Sequence, residues 1–332
     1  MPPSSEILIL NTLVAFDRWL EVRHRPGTRR LYGQILRRFA EWLQATYPEL
    51  PPTVGQISLR DGARYREFLQ AQHPPKQPAT INTAMAALEC WGRWTVTAEV
   101  RDDNPLVAIQ RIRTEDTQRA PKALAATQQD ALLKAATTLR QPARASLIIS
   151  LLLHTGLRVA ELCALRWGDL SVGERSGELQ VRAGKGGNNR TVPLNIEIRR
   201  VLWAWLVITT ELANTESSAH RVRWTAAHAS MMREWITNHS ALPLIASQKG
   251  GPLQPRAVQT VVANAAYHAR ITDPSVTPHT LRHTYATQLV TNGAPLTVVA
   301  TLLGHRNLAT TAIYTKPSAQ ELARWADTLA LS

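Results

Sequence analysis

The run Leu147-Ile-Ile-Ser-Leu-Leu-Leu153 constrains this chain more than any other stretch. With Ala145 and Ser146 ahead of it, it shows no polar face, so it reads as a helix buried on all sides. It falls far short of the roughly 20 apolar residues that span a bilayer, which leaves the core of a globular domain as its place. It delivers His154-Thr155-Gly156-Leu157-Arg158. Gly156 allows a tight backbone path, and Arg158 opens a further helix with Glu161 one turn on. That spacing lets the Glu161 carboxylate hold the Arg158 guanidinium in one orientation, although the same pair would also serve as a surface salt bridge.

A chain of 332 residues accommodates two domains, each with its own core. Its 38 Lys and Arg against 25 Asp and Glu leave a formal charge of +13, which favours a polyanionic partner. The N-terminus lacks the basic start and cleavage site of a signal peptide. Cys90 and Cys163 sit in apolar helical patterns and read as buried free thiols in a reducing compartment. No Cys/His set has zinc-finger spacing.

Residues 1–114 read as four helices. The first, over residues 7–23, carries Leu10, Leu13, Phe16 and Leu20 and is broken by Pro26-Gly27. Thr28 is the expected N-cap of the second, with Leu31, Ile35, Phe39 and Trp42 at helical spacing. Ser58 with Asp61 marks the start of the third, and Thr80 that of the fourth, with Met85, Leu88 and Trp91 inward. The polar faces carry Arg29, Arg30, Arg37, Arg38 and Arg64 among others. Guanidinium forks suit phosphate oxygens, so these five are candidate DNA contacts; a solvated basic face is the plain alternative. Residues 115–123 lack apolar periodicity and read as a linker.

Residues 124–332 form the second expected domain. Thr127 is the expected cap of its first helix, and residues 178–182 and 190–194 alternate as strands. The glycine-rich tip between them presents Lys185, either as a proton donor that enters a site with substrate or as an exposed turn lysine. Residues 211–240 are irregular, residues 242–246 read as a short strand, and residues 255–270 as a helix. Then come His279-Thr-Leu-Arg282-His283, Leu303-Gly304-His305 and Tyr314. On a helix His279, Arg282 and His283 share one side. Cationic donors, imidazoles and an aryl hydroxyl are groups for handling a phosphate.

Taken together, HTGLRVAELCALRW, GKGGNNRTVPL, HTLRHTYATQLV and LLGHRNLATTAIY resemble the tyrosine recombinase (phage integrase) family. The resemblance is strong over residues 124–316 and looser before. It implies a mostly α chain with a small β-sheet: an N-terminal helical core-binding domain plus an α+β catalytic domain, forming a C-shaped clamp on DNA. It matches Arg158 and Arg282 to the arginines that grip the scissile phosphate, Glu161 to the acidic residue supporting the first, and Lys185 to the hairpin lysine. His279 matches the histidine of H-x-x-R, His305 that of Leu-Gly-His, Tyr314 the nucleophile, and His283 a structural companion. Two features depart from the family pattern. The hairpin tip lacks a second basic residue, and residues 211–240 are longer and less regular than in short relatives.

The activity implied is site-specific cleavage and rejoining of duplex DNA through a 3′-phosphotyrosyl intermediate, without ATP, metal or cofactor. The expected partners are duplex DNA with a core site, further copies of the chain in a tetramer on two sites, and accessory DNA-bending proteins. The expected location is the bacterial or phage-type cytoplasm, at the nucleoid. Residues 321–329 suggest a tail helix that docks on a neighbouring protomer or packs on its own domain. Three other readings compete: a relaxing topoisomerase of similar chemistry, a catalytically silent DNA-binding regulator, and a metalloenzyme built on His279, His283 and His305.

Overall fold

In a computed structural model the chain divides into two compact units, Met1–Thr117 and Gln118–Ser332. The structure describes residues 7–24, 26–113, 123–182, 189–210, 223–247, 250–273 and 275–304. Lys185, His305, Tyr314, the tail helix expected over residues 321–329 and residues 211–222 of the irregular stretch lie outside them.

The first unit contains α1 (Ile9–Glu21), α2 (Pro26–Thr46), α3 (Leu59–Ala71) and α4 (Pro78–Thr97). Each presents an apolar stripe inward, and Phe16, Leu36, Phe39, Ile81, Leu88 and Trp91 meet in one core. The one polar atom of Trp91 is satisfied there, its Nε1 donating to Thr12 Oγ1 at 3.0 Å. Ser58 and Asp61 cap α3 as expected: the Ser58 backbone N–H and hydroxyl donate to Asp61 Oδ2 at 2.9 and 2.6 Å. Two helix starts differ from expectation. Pro26 and Pro78 are the first residues of α2 and α4, and neither Thr28 nor Thr80 is a cap. Proline lacks a donor that the first turn leaves unpaired anyway, so here it opens helices instead of breaking them.

The second unit is mostly helical: α5 (Ala126–Ala136), α6 (Pro142–Thr155), α7 (Val159–Ala164), α8 (Ile196–Thr209), α9 (Ala226–His239), α10 (Pro255–His268), α11 (Pro278–Thr291) and α12 (Leu296–Leu303). Helix α6 is its axis, with Leu147 to Leu153 all buried. It packs against α5, α8, α10 and α11, so a helix without a polar face finds apolar neighbours all round. A small antiparallel sheet, ordered β1 (Leu170–Val172), β2 (Gly177–Val181), β3 (Arg190–Pro193), lies on this unit. Leu179 pairs with both Leu170 and Val192, which fixes the inward face of all three strands.

The structure differs from expectation at four further points. Strand β1 was not expected; at three residues it is too short to show a period. Helix α9 occupies part of the stretch that reads as irregular, because only Ala229 and Met232 of its residues are buried and its apolar stripe is thin. Residues 242–246 form two isolated bridges, Arg166 with Pro243 and Ala246 with Pro252, and no strand among the described residues. Thr127 is not a cap either; α5 starts at Ala126, with the Ala125 N–H donating to Gln128 Oε1 at 3.0 Å. Cys163 is buried and Cys90 half-buried, both as free thiols, and burial pushes the Cys163 thiol up to about 11. No helix among the described residues is long and apolar enough to cross a membrane.

Ile148 is fully buried in α6. Ile148→Ala is expected to cost the second unit roughly 2–5 kcal/mol, read as a lower urea midpoint for its unfolding transition. A loss under about 0.5 kcal/mol would show that α6 is not the packed axis.

Candidate functional site

Helix α6 ends at Gly156, whose φ of 61° lies in the left-handed region. Glycine is required there twice over, since an added Cβ would strike the Tyr285 ring. The turn after it places Arg158 immediately before α7. The Arg158 N–H donates to Glu161 Oε2 at 2.8 Å, and its Nη1 donates to Glu161 Oε1, also at 2.8 Å. One carboxylate thus caps the helix and aims the guanidinium. The Arg158 side chain stays 46% exposed while that of Glu161 is 13% exposed, so the cation faces outward from a covered anion.

A second arginine fixes the far side of Glu161. Arg190, the first residue of β3, donates from Nη1 to Oε1 at 3.0 Å and from Nη2 to Oε2 at 2.7 Å. This is a fork-on-fork pair, the strongest form of charged hydrogen bond between side chains. The Arg190 side chain is only 5% exposed. Reading the sequence did not single it out, although a signal existed: Arg190 shares the inward register of β3 with Val192, where alternation expects an apolar residue.

Arg282 comes from α11. Its helix starts cleanly because the Thr277 hydroxyl accepts from the Thr280 N–H at 3.1 Å, with Pro278 in the first turn. Arg282 is buried, and donates from Nη1 to the Gly156 carbonyl at 2.6 Å and from Nη2 to the Leu303 carbonyl at 2.7 Å. Its Nη1 also lies 3.9 Å from Glu161 Oε2.

The three arginines converge again on the C-terminal end of α12. Leu302, Leu303 and Gly304 present carbonyls that accept from Arg190 Nε at 2.7 Å, Arg282 Nη2 at 2.7 Å and Arg158 Nη2 at 3.4 Å respectively. Carbonyls at a helix end lack intrahelical partners and carry partial negative charge, so the turn is a natural seat for cations. Gly304, with φ 65°, closes the helix, and an added Cβ there would lie 3.0 Å from Arg190 Nη1.

Burial alone pushes the Glu161 carboxyl up. The hydrogen bonds from Arg190 and from the Arg158 backbone, with the Arg190 charge and the Arg158 side chain, outweigh it and hold Glu161 at about 2. Glu161 is therefore an anion throughout the range in which proteins work, and the cluster keeps one negative and three positive charges.

His283 follows Arg282 into the interior, whereas His279 is exposed. Burial, and then the nearby His279, bring the His283 imidazole down to about 4. A neutral, covered imidazole fits a packing role. Of the remaining candidates, Arg30, Arg37, Arg38 and Arg64 are exposed on the first unit, Arg64 with its Nη1 donating to Tyr47 Oη at 3.0 Å. Arg29 differs from these four: its fork is committed to Asp17 and Glu21 and its side chain is 19% exposed, so its charge is answered within the fold.

The phage integrase family model matches residues 122–321. The tyrosine recombinase XerD of Lacticaseibacillus casei is 31% identical over 302 residues, covering 89% of each chain. The tyrosine recombinase XerC of Mycobacterium sp. (strain JLS) is 30% identical over 316 residues, covering 92% of this chain and 93% of its own. Among solved structures, the XerH site-specific recombinase bound to its difH substrate before cleavage superposes with TM-score 0.68 at 18% identity, over 98% of both chains. The Tn1549 transposon integrase in complex with a circular intermediate DNA also gives TM-score 0.68, at 17% identity, over 98% of this chain and all of the other. Both structural likenesses establish the fold.

A histidine held neutral by the fold takes up a proton more readily when unfolded, so its contribution is complete above pH 6.5 and is lost as pH falls toward about 4. Stability is expected to decline over that window by on the order of 2 kcal/mol, with His154, also lowered by burial, acting in the same direction. His283→Gln should flatten the decline in urea midpoints measured between those limits. An unchanged pH dependence in the variant would contradict the burial of a neutral His283.

Proposed function

With the chain a member of the phage integrase family, the tyrosine-type site-specific recombinases, we propose that it cleaves and rejoins duplex DNA through a covalent link to Tyr314. The single observation that carries this reading is the cluster of Arg158, Arg190 and Arg282 around one ionised carboxylate, with Arg158 left facing outward.

A phosphodiester is anionic, and attack on it adds charge to its non-bridging oxygens. Fixed cationic donors aimed at those oxygens stabilise that state without reorganising, and removing one such donor typically costs about 100- to 1000-fold in rate. Arg158 supplies the outward donor, held in one orientation by Glu161. Arg282 supplies the second; two of its donors are spent on the Gly156 and Leu303 carbonyls, which fixes its plane. The Tyr314 oxygen attacks phosphorus as its proton passes to His279. The bond from phosphorus to the 5′ oxygen breaks, and Lys185 gives the leaving oxygen its proton. His305 donates a hydrogen bond to the phosphate. A 5′-hydroxyl from a second strand then attacks the phosphotyrosine and gives its proton to the neutral Lys185 amine, the bond from phosphorus to the Tyr314 oxygen breaks, Tyr314 recovers its proton from His279, and the DNA is resealed. The ester energy is kept, so ATP is not consumed, and the arginines fill the electrostatic role that a divalent metal fills elsewhere.

The exposed Arg30, Arg37, Arg38 and Arg64 give the first unit a basic surface for the DNA backbone. Duplex DNA with a core site is the substrate, and the XerH and Tn1549 integrase structures, each solved with DNA, support that choice. Strand exchange between two sites calls for a tetramer on DNA, with accessory DNA-bending proteins as partners in assembling it, and places the protein with DNA in the cytoplasm.

The test is a suicide duplex nicked near the cleavage point, incubated with the full chain in EDTA. A covalent protein–DNA adduct is expected, and Tyr314→Phe should abolish it while DNA binding persists. An adduct that survives Tyr314→Phe, or one that needs a divalent metal, would overturn the reading.

A further inference from the structure

Arg190 has no part in the chemistry just described, and three features make it more than a buried ion pair. It is the only residue among those described that touches both oxygens of Glu161 with its side chain and also binds the end of α12. It begins β3, five residues after Lys185 in the chain. It is also spent: its three guanidinium nitrogens donate to Glu161 and Leu302, and its side chain is 5% exposed where that of Arg158 is 46% exposed.

We propose that Arg190 is the positioning residue of the cleavage site, which sets the orientation of Arg158 through Glu161 and holds the C-terminal turn of α12 against the same carboxylate. This rests on the reading of the site given above. Arg158 is attached to Glu161 from one side, by its own backbone N–H and Nη1. An exposed pair at this spacing would ordinarily sample many geometries and contribute little. Arg190 grips the same two oxygens from the protein side, so the carboxylate has no freedom to follow Arg158 outward. Its third donor, Nε, goes to the Leu302 carbonyl, in the same turn whose Leu303 and Gly304 carbonyls accept from Arg282 and Arg158. Arg190 therefore ties the strand that follows the Lys185 tip, the support of Arg158 and the seat of Arg282 into one rigid piece. Gly304 preserves the contact, since a side chain there would crowd Arg190 Nη1.

Arg190 also keeps Glu161 charged, because its hydrogen bonds lead the effects that oppose burial. A positioning role therefore has a signature that loss of packing lacks. Nicked-duplex cleavage is measured in single turnover from pH 5 to pH 8 on the full-length protein, with DNA affinity measured in parallel. Wild type should be free of any acid limb due to Glu161. Arg190→Met should lose about 100-fold in cleavage rate at neutral pH, hold DNA within about twofold, and gain an acid limb below about pH 6 as Glu161 takes up a proton. Arg190→Lys keeps the charge but not the fork; it should fold, bind DNA and cleave about tenfold more slowly, with the acid limb suppressed. It carries the test if the methionine variant does not fold. Wild-type cleavage rates in Arg190→Lys, or a methionine variant that is slow with an unshifted pH profile, would overturn the positioning role. Absence of a Tyr314 adduct in the wild-type protein would instead overturn the functional reading on which it rests.

Discussion

One carboxylate holds this site together. Glu161 is largely covered, and burying a lone charge is costly. It is tolerated because two guanidinium groups and a backbone N–H occupy its oxygens, with Arg282 at 3.9 Å as a further positive charge. The same arrangement answers the opposite problem, since three cations gathered without an anion would repel one another. The balance is deliberately incomplete: one negative against three positive charges leaves a local excess of two, matched to an anionic substrate.

The fold builds this balance from parts distant in sequence. The apolar helix α6 fixes where Gly156 and Arg158 emerge, and α11 packs on α6 to bring Arg282 beside them. Strand β3 carries Arg190, whose place is set by the pairing of Val181 with Arg190 and of Leu179 with Val192. Helix α12 closes the site with its negative end, where three successive residues each accept from a different arginine. Glycines at 156 and 304 stand where the backbone both turns left-handed and passes close to a side chain.

Much of this was legible from residues alone, for physical reasons. A run without a polar face could only be a buried helix, and α6 is one. Arg158 and Glu161, one turn apart, had to be able to meet. The four helices of the first unit and strands β2 and β3 follow from plain periodicity. Other features depend on partners far along the chain. Arg190 meets Glu161 across 29 residues and Leu302 across 112, and only its inward register in β3 hinted at a buried arginine. Pro26 reads as a breaker because the missing N–H that interrupts a helix interior also suits the first turn of one. Helix α9 was hidden by its thin apolar stripe, and the commitment of Arg29 to Asp17 and Glu21 spans two helices.

The central claim is that Glu161 serves cleavage by aiming Arg158. A double-mutant cycle on cleavage rate addresses this directly, using Glu161→Gln, Arg158→Ala and the pair together in single turnover on a nicked duplex. If Glu161 works by aiming Arg158, the double variant should cleave no more than about threefold slower than Arg158→Ala alone. Fully multiplicative losses would mean that Glu161 and Arg158 act independently, and would contradict the account.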